Sequence, residues 1–257
     1  MLFFISQYSL DTLEQPSDSG SYPDEIYQRG INSAHYVRGE IQNRISEEVR
    51  KDTLSLCRLI KEMTFEIMDQ NMEDSHEDPA LNRHLNQVAF LAKEVGEQLG
   101  LNETDLKILE AASLIHDVGK RLLNPDYSKL DRKLTDAEYA VVRKHVDLSL
   151  ILLNGIIPKD IYNVISQHHE NYDGTGYPFG IENNHIGLLS RILRAVDAYQ
   201  AMTSRKHNVG RKKDGIMTSD QALEELERGS GRLFDPQVVS VLKRISSSYE
   251  SSGNILN

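Results

Sequence analysis

Four histidines, each lying on or at the end of an apolar stripe of helical period, constrain this chain more than any other feature. His84 shares a stripe with Val88, Leu91, Ala92, Val95 and Leu99, closed by Gly100, and His116 follows Leu106, Leu109 and Ala112. His145 runs with Val141, Leu148 and Leu152, and His168 follows Ile161 and Ile165. Helical spacing turns each imidazole towards the interior that the aliphatic residues fill. Burying several imidazoles without partners would cost roughly a few kcal/mol each. A shared metal removes that cost, because neutral ring nitrogens become ligands in place of water.

The helix ends are legible too. Asn102 reads as a cap, Thr135-Asp136-Ala137-Glu138 has capping-box spacing, and Pro158 suits a first turn. Further helices are predicted over Leu189–Met202 and Thr218–Arg228, the latter stopped by Gly229, and Asp235-Pro236 opens the last. No stretch alternates convincingly as a strand, so the expected class is all-α. Upstream, residues 11–24 read as a Ser/Asp/Gly/Pro lead-in. Val37, Ile41, Ile45 and Val49, then Leu56, Ile60, Met63 and Ile67, predict one or two helices, with Gly39 and Asp52-Thr53 as interruptions. This smaller helical region reads as a packing or dimerisation arm, or as a ligand sensor. The charged run Glu73–Asp78, ending at Pro79, marks the expected boundary between residues 1–75 and a main domain over 76–257.

Composition excludes several classes. With 29 Lys and Arg against 39 Asp and Glu the formal charge is −10, leaving no basic field to collect long nucleic acid. The single cysteine, Cys57, sits in the helical run Leu56–Ile60 and reads as packing. Met1-Leu2-Phe3-Phe4-Ile5 lacks a basic flank and is too short for a signal or a membrane span, so a cytoplasmic protein is expected.

His116-Asp117 sets an imidazole beside a carboxylate at a helix end, with Lys120 one turn on. A carboxylate can bridge two cations whereas an imidazole binds one, so this pair with His145 and His168-His169 is chemically a two-metal set, and Asp197 adds a second carboxylate. Mixed His and carboxylate ligation without cysteine suits iron, manganese or zinc, and a single zinc held by a subset is the simpler alternative. Asp173-Gly174-Thr175-Gly176-Tyr177-Pro178 then follows the His pair closely, with glycines that permit close approach of backbone and a Tyr177 ring on which a base could stack.

In order, His84, His116-Asp117-Val118-Gly119-Lys120, His145, His168-His169-Glu170, the Asp173–Pro178 loop, Arg191, and Asp197-Ala198-Tyr199 leading to Met202-Thr203-Ser204 resemble the HD-GYP branch of the HD-domain metal-dependent phosphohydrolases. The resemblance spans roughly residues 80–245. It implies an all-helical domain with a metal centre, usually iron or manganese, that hydrolyses cyclic di-GMP to linear pGpG or on to GMP. By this analogy His84, His116 and Asp197 complete one metal, His145, His168 and His169 the other, and Asp117 bridges them.

Lys120 is expected to neutralise phosphate charge, with Asp173, Gly176, Tyr177, Pro178, Arg191 and Lys206 as further substrate contacts. Arg191 reads equally as a helix-packing residue. Three departures stand out. Ala80 occupies the position where three-metal members carry Glu, so two metals are expected. Gln200 replaces a common Asp. Within Ser204–Val209, usually rich in cations, Val209 stands where a second cation often sits, although Arg211-Lys212-Lys213 could compensate. The competing reading is a module that binds cyclic di-GMP, or a diguanylate cyclase partner, with little turnover.

Overall fold

The computed structural model describes residues 22–71, 79–123, 134–204 and 216–251. The chain forms α1 (Tyr22–Arg44), α2 (Glu47–Lys51), α3 (Thr53–Asn71), α4 (Pro79–Gln98), α5 (Glu103–Ile115), α6 (Asp136–Arg143), α7 (His145–Leu153), α8 (Lys159–Ser166), α9 (Leu188–Thr203), α10 (Ser219–Gly229) and α11 (Pro236–Ser251). Short 3-10 turns cover Val118–Leu122 and Asn183–His185. Two isolated bridges, Asp173 with Glu182 and Ser230 with Phe234, are the β pairing found, and no strand occurs among the described residues. The architecture is all-α, as the stripes predict.

Most helix ends fall at the expected signals. Asn102 accepts from the Asp105 amide (3.0 Å) at the start of α5, and Thr135 with Glu138 forms the capping box of α6. Thr218 with Gln221 forms another at α10, and Asp235 Oδ1 accepts from the Gln237 amide (2.8 Å) at α11. Pro158 stands one residue earlier than expected, as the residue that precedes α8.

Two expectations fail in instructive ways. The upstream region makes three helices rather than one or two. Gly39 does not interrupt α1, whereas Ser46 does, because its side chain accepts from the Val49 amide and opens α2. The stripe Val141, His145, Leu148, Leu152 predicts one helix, but the chain breaks at Lys144 into α6 and α7. There the His145 ring occupies the Val142 carbonyl (2.6 Å), the group that a continuing helix would give to the Val146 amide.

A single core runs through both regions: Val37, Ile41, Cys57 and Ile60 cluster with Val88, Val95, Leu109, Leu148 and Leu193. Cys57 is buried and its thiol is pushed up to about 12, mainly by burial, which fits packing rather than chemistry. Polar ties reinforce the packing. Arg38 donates to the Ile151 carbonyl (3.3 Å), Lys61 to Asn86 (2.9 Å), and the Arg121 guanidinium pairs with Asp69 while lying over the Phe65 ring. Thus α1 and α3 brace α7 and the turn that carries Lys120. No described helix is long and apolar enough to cross a membrane.

Candidate metal centre

His84 projects from the second turn of α4, His116 and Asp117 follow α5, His145 opens α7, His168 and His169 follow α8, and Asp197 lies on α9. Glycine makes the central junction close. A Cβ at Gly119 would stand 2.1 Å from the His145 carbonyl oxygen and 2.7 Å from Ser149 N, so only glycine lets α7 start directly against the Asp117 turn. Ser149 fastens it, accepting from the Gly119 amide (2.9 Å) and donating to the His116 carbonyl (3.3 Å).

The result is two sets of four donors that share Asp117: His84, His116, Asp117 and Asp197, and Asp117, His145, His168 and His169. Within each set the ligand atoms lie within 4.8 Å of one another. Asp117 Oδ2 faces His116 Nε2 (3.4 Å) and His84 Nε2 (4.0 Å), while Oδ1 faces His145 Nε2 (3.1 Å) and His168 Nε2 (3.8 Å). Asp197 Oδ1 approaches His84 Nε2 (3.0 Å) and His116 Nε2 (3.6 Å), and His169 Nε2 lies 3.1 Å from His145 Nε2.

These donors fit a metal on structural grounds. His116, His145 and His168 each present Nδ1 to the carbonyl three residues earlier, those of Ser113 (2.8 Å), Val142 (2.6 Å) and Ile165 (2.6 Å). A carbonyl only accepts, so Nδ1 carries the proton and Nε2 is left directed at the centre. His116 Nε2, His168 Nε2 and Asp117 Oδ1 are buried there with no hydrogen-bond partner. Acceptor atoms that converge at 3 to 4 Å with too few protons to pair them all repel, and a divalent cation resolves that.

Charge supports the same reading. Burial works to lower the His116 pKa, but Asp117 and Asp197 outweigh it and pull it up to about 10. Burial acts to raise Asp117, yet Lys120 and His116 hold it well below the usual carboxylate range. His168 is pushed down to about 4, chiefly by burial. At pH 7 the metal-free centre therefore keeps a proton on His116 and none on His168. A metal must displace the former, so its affinity is expected to rise with pH between 6 and 8, by roughly tenfold per unit for one released proton. Calorimetry in buffers of differing ionisation enthalpy measures that release, and pH-independent affinity would refute it.

The remaining predicted residues are distributed unevenly. Lys120 Nζ contacts Asp117 Oδ2. The Asp173 carboxylate accepts from the Thr175 amide (3.0 Å) and hydroxyl (2.6 Å), so it shapes its own loop. A Cβ at Gly176 would meet Asn171 N at 2.1 Å, which makes glycine obligatory where the loop passes back over residues 170–171. Tyr177 stacks on His169, with ring centroids 4.8 Å apart at 21°, and the Tyr177–Pro178 peptide is cis. Arg191 donates to the Ile186 carbonyl (3.1 Å) and pairs with Asp235, so of its two readings helix packing occupies the guanidinium. Lys206, Val209 and Arg211–Lys213 lie outside the described residues.

The sequence assigns no role to three residues here, although Glu170 stands in the motif that carries the resemblance. The Glu170 carboxylate accepts from the Phe179 amide (2.7 Å) and holds the far end of the loop. Arg194 donates to Asn171 Oδ1 (3.0 Å), one turn before Asp197. The Arg143 guanidinium lies 4.1 Å from the Tyr177 ring centroid. Adjacency to a ligand, at one, two or three residues, was the available signal.

Comparison with known proteins agrees with this geometry. Residues 71–238 match the HD domain family model. The chain is 32% identical over 210 residues to the cyclic di-GMP phosphodiesterase response regulator RpfG of Xanthomonas campestris, covering 77% of this chain and 54% of that protein. It is 31% identical over 164 residues to 3'3'-cGAMP-specific phosphodiesterase 3 of Vibrio cholerae, covering 63% and 34%. The chain thus spans about half the length, or less, of these curated relatives. Bd1817, an HDG"Y"P protein from Bdellovibrio bacteriovorus, superposes with a TM-score of 0.56 at 18% identity over 93% of this chain and 77% of its own, a likeness of fold. With the family match covering most of the chain, and the His-Asp pair, the further ligands and the Gly-Tyr-Pro loop converging on one buried centre, the chain belongs to the HD-GYP family of HD-domain proteins.

Proposed function

We propose that this protein hydrolyses the phosphodiester bonds of cyclic di-GMP, giving pGpG or GMP, at a centre that holds two divalent metals, iron or manganese. The observation that carries this is the sharing of Asp117 between two complete donor sets. His84, His116, Asp117 and Asp197 hold one metal and Asp117, His145, His168 and His169 the other. Bound there, the metals supply Lewis acidity and a water acidified towards neutral pH.

The chain's own groups do the rest. Asp117 offers one oxygen to each set, and its low pKa keeps it ionised as a ligand across the physiological range. The carbonyl-anchored imidazoles hold their Nε2 atoms inward without reorganisation. Lys120, partly exposed beside Asp117, lies between the buried donors and solvent, and its ammonium meets the substrate phosphate. The Gly176-Tyr177-Pro178 loop walls the substrate side. Residues 1–75 act as a regulatory or dimerisation region whose helices α1 and α3 press on α7 and on the Lys120 turn. An intact ligand set favours turnover over a module that only binds cyclic di-GMP or a diguanylate cyclase.

Labelled cyclic di-GMP incubated with Mn(II), or anaerobically with Fe(II), should yield linear product, with metal content near two per chain, as Ala80 predicts. The mixed cyclic GMP-AMP dinucleotide run in parallel tests substrate choice. Tight binding with no product in either metal would overturn hydrolysis, and a reproducible stoichiometry near three would overturn the metal count.

A further inference from the structure

The five histidines of the two donor sets are not all held alike. His116, His145 and His168 each have an Nδ1 bond to a carbonyl. Among the described residues His169 has no such anchor, and it is also less deeply buried than its neighbours. Its ring is oriented instead by the near-parallel Tyr177 ring, 4.8 Å away. The Tyr177 backbone returns to the same residue, its amide donating a hydrogen bond to the His169 carbonyl (3.2 Å). Tyr177 in turn lies under the Arg143 guanidinium at 4.1 Å.

Arg143 is the last residue of α6, two before His145, whose Nε2 faces His169 Nε2 at 3.1 Å. The contacts therefore close on themselves. One segment supplies Arg143 and His145, the other supplies Tyr177 and His169, and the two meet twice, Arg143 on Tyr177 and His145 on His169. A planar guanidinium over an aromatic face is attracted electrostatically and pre-organised in a way that a flexible ammonium is not.

We propose that Arg143 is a positioning residue for the metal centre: by clamping the Tyr177 ring against His169 it fixes a ligand imidazole that lacks a carbonyl anchor. This rests on the reading of His169 as a metal ligand given above. Arg143 acts through Tyr177, so its influence appears in metal affinity and ligand-field geometry before it appears in substrate binding. Partners that orient a ligating histidine are typically worth 10- to 100-fold in metal affinity.

The test uses the full chain loaded with Co(II), whose visible absorption reports ligand geometry. Arg143 is exposed at the end of α6, so its replacement leaves the core untouched. R143A should weaken Co(II) binding by roughly tenfold and shift the visible bands, with R143K recovering only part of the loss. Y177F, which keeps the ring, should retain the wild-type spectrum, whereas Y177A should reproduce the R143A spectrum. At saturating metal R143A should lower kcat more than it raises KM. An unchanged Co(II) affinity and spectrum in R143A, with KM raised, would overturn the proposal and make Arg143 a substrate contact. Failure of the wild-type chain to take up Co(II) would instead overturn the metal reading itself, and this inference with it.

Discussion

Asp117→Ala should strip most of the metal from the protein and reduce turnover by roughly a thousandfold or more, the loss expected when metal activation disappears. The residue is fully buried, and both of its oxygens face imidazoles from two donor sets. Without it His116 loses the nearest of the carboxylates that raise its pKa, and Lys120 loses its partner. What remains is two clusters of imidazoles with Asp197 as the one carboxylate left in the donor sets among the described residues, too little negative charge to hold two dications close together. Asp117→Asn separates charge from shape, since it keeps the side-chain volume and an oxygen ligand but not the ionised carboxylate. Metal analysis after anaerobic loading decides the matter. The alanine variant should hold fewer than one metal per chain and the asparagine variant should fall between it and wild type. Retention of both metals by the alanine variant would show that Asp117 does not join the two sets.

The convergence of these donors was readable in the sequence because each lies on, or just past, an element whose register is set locally. His84 sits on the α4 stripe with Val88 and Leu91, so burying those residues buries it, and Asp197 follows the apolar face of α9 in the same way. Caps at Asn102, Thr135 and Thr218 are local as well, each formed within three or four residues. What escaped detection depends on tertiary neighbours. Periodicity carried straight through Lys144, because nothing in the sequence declares that the His145 ring will occupy the Val142 carbonyl. Arg191 and Arg194 stand three apart on one helix, and the sequence offers the former equally as a substrate contact or a helix-packing residue and gives the latter no role. In the structure Arg191 is occupied by Asp235, some forty residues on, while Arg194 reaches the segment just after the histidine pair. The sequence presents Tyr177 as a ring on which a base could stack. Its stacking on His169 under Arg143 joins two separate segments, and no spacing rule contains it.

Lys120→Ala should leave both metals in place and lower kcat by about a hundredfold, comparable to the loss of one preorganised charge stabiliser. Geometry gives the reason for separating the two effects. Lys120 is carried on the 3-10 turn directly after the ligand pair, a turn braced by the Arg121–Asp69 pair and by α7, so its backbone stays put when the side chain is shortened. Its ammonium pairs with Asp117 Oδ2, and it is the foremost of the charges that keep that carboxyl's pKa low. Removing it lets the Asp117 pKa rise, but His116 still acts downward on the same group, and a bound metal acts in the same direction more strongly. Asp117 therefore stays ionised at pH 7 and ligation survives. The negative charge that accumulates on phosphate oxygens as a bond to water forms has by contrast lost its nearest ammonium, a loss felt in the transition state more than in the ground state. The variant should show a large fall in kcat with a small change in KM, and Lys120→Arg should restore part of the rate. Were metal content to fall in parallel with activity, Lys120 would be a partner of Asp117 alone, and the phosphate would have to be met by another cation, with Arg194 and Arg143 as the candidates among the described residues.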